Sequence, residues 1–131
     1  MNNKFKLSLV GTLVVLMVMS FGSMLVAADK ITYEEYLIKL LSDEDVARRA
    51  NAAQQLAQRN VADAIQPLVQ MLQNDKDYRG RIVAAVALMK LGDQTLIPTL
   101  KDAYKNETRK TVQTVLAGVI RELQQQAVKQ G

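Results

Sequence analysis

The side chains able to do chemistry in this chain are few and of narrow type: none of its 131 residues is histidine, cysteine or tryptophan. General acid–base work would therefore need carboxylates paired in a pocket. Nucleophilic catalysis would need a Ser, Thr or Lys beside a base. The one tight acidic cluster is Asp43, Glu44 and Asp45. Three consecutive carboxylates on a helix point in different directions and lack the ligand spacing of a calcium loop, whereas acids at a helix start are expected from the helix dipole. We read no metal site there. Ser and Thr fall at helix starts or between apolar positions, and no glycine-rich phosphate loop occurs. The expectation is a non-enzymatic protein with no cofactor.

Basic side chains are more suggestive. The chain carries 17 Lys and Arg against 13 Asp and Glu, a net charge of +4. Residues 29–75 hold eight acids and five bases, whereas residues 76–131 hold ten bases and five acids. Lys76, Arg79, Arg81, Lys90, Lys101, Lys105, Arg109 and Lys110 give the second half its sign. If the elements stack in chain order, one end is acidic and the other basic. The basic end suits docking onto an acidic protein partner or an anionic head-group surface, and equally a solvated helix face. Acidic end on basic end would allow head-to-tail association.

Helices must position these groups. In the run 77–100, Ile82, Ala85, Val86, Leu88, Met89 and Leu91 recur at helical spacing, Gly92 stops the helix and Asp93 opens a second. Sliding the chain past itself by one such unit places Asp45, Arg49, Ala52, Ala53 and Leu56 on Asp77, Arg81, Ala84, Ala85 and Leu88, and Ile65 to Leu68 answers Leu96 to Pro98 with a slip of one. The period, read as the step from Asp45 to Asp77, suits a repeat of two helices. Downstream, Arg109 followed by Val112, Val115, Leu116, Val119, Ile120 and Leu123 reads as a further first helix, and Tyr33 to Leu41 as a lone second helix. The pattern is half a unit, two whole units and half a unit.

The order of Ala84-Ala85, Gly92-Asp93 and Ile97-Pro98 resembles HEAT-like repeats of the short bacterial type, the kind found in phycobilin lyases, over roughly residues 43–123. The resemblance implies an all-α fold: a short right-handed α-solenoid spanning residues 29–131 that works by presenting a surface. The family often pairs the turn Asp of one unit with an Arg of the next. Here Asp93 with Arg109 is the obvious candidate, so no continuous Asp–Arg ladder is expected. In the first full unit Asn60 takes the turn, and we expect it to cap the following helix with Asp63 as its partner. Thr32 and Glu35 fit a capping box. Pro67 and Pro98 fit the first turn of second helices, where an N–H is not needed. Gly80 and Gly118 lie inside helical patterns and read as points of close helix approach. Ala50, Ala52, Ala53, Ala84, Ala85 and Ala87 let first helices sit close together.

Residues 1–28 form a different segment. Lys4 and Lys6 precede an almost wholly apolar stretch, Leu7 to Val26, and Val26-Ala27-Ala28 before Asp29 offers small residues for cleavage. This reads as a secretory signal, with an uncleaved membrane anchor over residues 7–28 as the alternative. In both cases the remainder is exported, to the periplasm or beyond, or held at the inner membrane facing the periplasm. Loss of residues 1–28 removes two Lys and no acid, leaving a net charge of +2.

The function expected is an exported adaptor that binds a protein partner, through Gln66, Gln70 and Gln73 on one second helix and Lys101, Lys105, Arg109 and Lys110 further on. The alternative is a small-molecule carrier or chaperone related in scaffold to bilin-handling proteins. Nucleic acid is not expected as a partner, because its affinity depends chiefly on phosphate neutralisation and the exported chain is nearly neutral.

Overall fold

Thr32 starts the first helix as the capping box requires. Its hydroxyl accepts from the Glu35 N–H at 3.1 Å, and the Glu35 carboxylate accepts from the Thr32 N–H at 2.8 Å. The computed structural model describes residues 31–131; the signal-like segment, residues 1–28, lies outside them.

Among the described residues six α-helices follow in order: α1 (Tyr33–Leu40), α2 (Val46–Gln58), α3 (Ile65–Asn74), α4 (Tyr78–Leu91), α5 (Ile97–Asn106) and α6 (Lys110–Gln130). Short 3₁₀ turns, Ala62–Ala64 and Gln94–Leu96, lead into α3 and α5. The described residues contain no strand. This is the half, two whole and half units that the sequence repeat implies, with the last first-helix running on to Gln130.

Packing follows from residue size. Among the first helices α2 lies against α4 and α4 against α6, while α3 packs on α4, α5 on α6, and α1 on α2. Ala52, Ala53, Ala84, Ala85 and Ala87 are buried, so the backbones of first helices come close without a gap. Ala50 is only half-buried. Leu37, Leu56, Leu68, Leu88, Leu100 and Leu116 each supply a fully buried side chain from one of the six helices, filling the space between the layers.

The turns inside the two full units use different residues for one conformation. Gly92 has φ 70°. Asn60 is not an N-cap, as its type suggested, but occupies the same left-handed region at φ 55°. Asn tolerates this conformation better than most residues. The Val61 N–H bonds back to the Leu56 carbonyl at 3.0 Å, closing the end of α2, and no side chain caps the turn before α3. Asp63 therefore has no capping role. Asp93 does cap, accepting from the Thr95 N–H at 2.9 Å. Pro67 and Pro98 both fall in the first turn of their helices.

Candidate functional site

Two arginines hold the repeat units in register. Arg49 on α2 donates from Nε and Nη2 to both carboxylate oxygens of Asp75, at 2.8 and 2.7 Å, and from Nη1 to the carbonyls of Asp43 and Glu44. Arg81 on α4 repeats the arrangement one unit later. Its Nε and Nη2 reach Glu107 at 2.7 and 3.1 Å, and its Nη1 reaches the carbonyl of Asp75 at 2.8 Å. Each guanidinium thus ties the loop before its own helix to the loop one unit on. At the far end Gln113 stands in the arginine position and donates only to the Glu107 carbonyl, at 2.7 Å.

This arrangement corrects the expected pairing. Asp93 and Arg109 do not meet: Asp93 caps its own turn, and Arg109 lies over the Tyr78 ring at 4.1 Å. An acid–arginine ladder does run through the solenoid, built from arginines within α2 and α4 and acids in the loops between units. The signal was present in the spacing. Asp43, Asp75 and Glu107 follow one another at the repeat period, as do Arg49, Arg81 and Gln113.

The clamps are sheltered, with side-chain exposure of 12% and 3% for Arg49 and Asp75, and 17% and 7% for Arg81 and Glu107. The bidentate bond from Arg81 holds the Glu107 carboxyl below its ordinary value of 4.5, with the Arg109 N–H adding to the effect. Bonding to Asp75 raises Arg49 above its ordinary value. On the exposed edge, the Arg79 side chain and N–H pull Asp77 down to about 2. Asp45 and Asp77, two members of the acid-rich loops, cap α2 and α4 by accepting from the N–H groups of Ala47 and Arg79.

Gly80 is required by the first clamp. A Cβ there would lie 2.0 Å from Asp75 Oδ2 and 2.5 Å from its Cγ. The close approach expected at Gly80 is thus to a carboxylate, whereas Gly118 has nothing within 4 Å.

Of the seven predicted binding residues, Gln70, Gln73 and Arg109 line three separate depressions, whereas Gln66 is exposed on α3 and Lys110 at the start of α6. Gln70 lines a groove of about 610 Å³ between α1 and α3. Gln73 lines one of about 440 Å³ between α3 and α5, together with Asp102, Ala103 and Asn106. Arg109 lines a hollow of about 510 Å³ at the loop edge, with Lys76, Tyr78, Arg79 and Thr108. Lys101 and Lys105 project from α5, Lys105 within 3.7 Å of Asp102. The Tyr78–Arg109 contact was not expected from sequence, because it joins the starts of two successive first helices through residue types that no periodic pattern links.

Helical hairpins stacked in one direction and clamped unit to unit define a short α-solenoid. The profile of the HEAT-repeat family matches residues 34–121, and the chain belongs to that family. No curated protein matches it in sequence. Among solved structures it is similar to epoxyqueuosine reductase, seen in a crystal with a tRNA-Tyr epoxyqueuosine-modified stem loop. The TM-score is 0.60 at 23% identity, covering 67% of this chain and 28% of that one. The likeness is one of fold, and this chain spans less than a third of the reductase chain.

Proposed function

We propose that this protein is an exported, non-catalytic adaptor that uses its short HEAT solenoid to bind a protein partner in the cell envelope. One observation carries the reading. The acids and arginines that could form a reactive cluster are committed to helix caps and inter-unit clamps, while Gln66, Gln70, Gln73, Lys101 and Lys105 on the second helices are exposed. A rigid frame with an open polar face suits recognition more than turnover. Export rests on the apolar stretch and small-residue junction of the first 28 residues.

The solved reductase was crystallised with an RNA stem loop. We do not carry that ligand over to this chain, because the match covers 28% of the reductase and fold alone does not convey a ligand.

The test is crosslinking and affinity capture from the envelope fraction, comparing the parent with a variant in which Lys101, Lys105, Arg109 and Lys110 are changed to Glu. The expected result is a protein partner that the variant loses. An unchanged partner set would remove the basic half as the docking surface. Recovery of the chain from the cytosol would remove export.

A further inference from the structure

The two grooves between successive second helices are equivalent in position and unlike in chemistry. Leu41, Gln70, Met71, Asn74 and Asp75 line the first, and Gln73, Asp102, Ala103, Asn106 and Glu107, each one repeat later, line the second. Where the second groove has Gln73 and Ala103, the first has Leu41 and Met71. Where the second has the carboxylate of Asp102, the first has the neutral amide of Gln70. Ile38 and Pro67 extend the apolar wall of the first groove. Met is an adaptable floor for a side chain entering from outside.

Charge at the first groove is one-sided. Lys39 and Lys76 line it and are exposed, and neither forms an ion pair among the described residues. Its two acids are already committed. Asp75 gives both oxygens to Arg49, and Asp43 accepts from the Asp45 N–H and lies 3.5 Å from Arg48. The remaining field is that of two lysines beside an apolar floor. The side-chain amides of Gln70 and Asn74, bonded to each other at 3.0 Å, keep a further donor and acceptor for a peptide backbone.

We propose that the groove between α1 and α3 binds an acidic peptide segment of the protein partner. The segment inserts one long aliphatic side chain among Ile38, Leu41, Pro67 and Met71, and sets carboxylates against Lys39 and Lys76. A volume of about 610 Å³ lies within the range of clefts that hold small ligands, and so accommodates one such side chain with the backbone beside it. The proposal rests on the adaptor reading and names the chemistry of the partner.

A random peptide library displayed on phage, panned against the full chain, tests it. The expected consensus is a Leu, Ile or Met flanked by Asp or Glu. Selected peptides should shift the NMR methyl signals of Ile38 and Met71. They should bind about tenfold or more weakly to Lys39→Glu/Lys76→Glu, and also to Gln70→Asp, which gives the first groove the acid of the second. All three positions are surface-exposed, so folding is preserved and circular dichroism checks it. The proposal is overturned if no peptide is enriched, if the consensus is basic or lacks an aliphatic residue, if the variants bind as the parent does, or if the shifts fall at Tyr78 and Arg109 instead. A captured envelope partner together with any of these results leaves the adaptor reading standing and this groove excluded. An acidic–aliphatic consensus with no envelope partner does the reverse.

Discussion

Arg49 and Arg81 make the same set of bonds in successive units, yet the acids they hold are accommodated differently. Asp75 is short, and its carboxylate lies directly over the backbone of Gly80, where no Cβ fits. In the next unit the residue at the Gly80 position is Val112, which is fully buried, and the acid is the longer Glu107. The additional methylene lets a carboxylate reach Arg81 by a path that leaves room for a branched side chain. One clamp is thus compatible with a packed valine in the following helix, and the other demands a hole in it. A repeat can keep an interaction while exchanging the residues around it, provided that length lost in one side chain is recovered as space in another.

Removing an arginine should cost most. Arg49→Ala or Arg81→Ala leaves a nearly buried carboxylate without its partner, and each should lower stability by about 3–5 kcal/mol in urea unfolding. Comparable losses would show that the two clamps are equivalent in energy as well as geometry. Gly80→Ala drives Asp75 off Arg49 and should cost about 2–4 kcal/mol despite the better helix propensity of Ala. Adding Asp75→Glu should recover part of that loss, because it copies the Glu107 arrangement. Absence of any recovery would break the length-for-space account. Ala85→Leu, in the layer both clamps bridge, should overpack it and cost about 1–3 kcal/mol of stability; thermal unfolding at the parent's Tm would contradict the assigned face.

Acid should act on the second clamp. Glu107 titrates below its ordinary value of 4.5 in the folded chain, so its contribution is complete above that value and is lost as pH falls through the lower, folded value. The parent should lose stability over this window, and Arg81→Ala should show a shallower dependence in pH-resolved thermal melts. The smallest effects belong to the turns. Gly92→Ala at φ 70° should cost about 1–2 kcal/mol, whereas Asn60→Gly should change stability by only a few tenths of a kcal/mol. Equal effects would mean that the left-handed turns are not alike.

The repeat, its unit count and the caps at Thr32 and Asp93 are legible in the sequence because each leaves a local or periodic trace. Ala84, Ala85, Leu88 and Gly92 mark a helix face and its end within a single helix, and Thr32 with Glu35 marks a start within its first turn. The clamps are hidden although their residues recur at the repeat period, because recurrence does not say which acid an arginine meets. Asp93 resembles the acid that a turn pairing would use, but its carboxylate is bound by Thr95 two residues away, and Arg109 lies on Tyr78. The residues that do pair, such as Arg49 with Asp75, are 26 positions apart. Asn60 is ambiguous because its side chain suits both an N-cap and a left-handed turn, and the closing bond from Val61 to Leu56 chooses between them.

By itself the sequence determined the scaffold: the all-α class, the stacking of two full hairpins between two halves, and the small residues that let first helices touch. Those properties follow from side-chain volume and periodicity along one chain direction. Only the tertiary structure decided which acid each arginine holds, why Gly80 must remain glycine, and that two equivalent grooves differ in floor and charge. These depend on distances between residues in successive units, which a one-dimensional pattern leaves open until the units are packed.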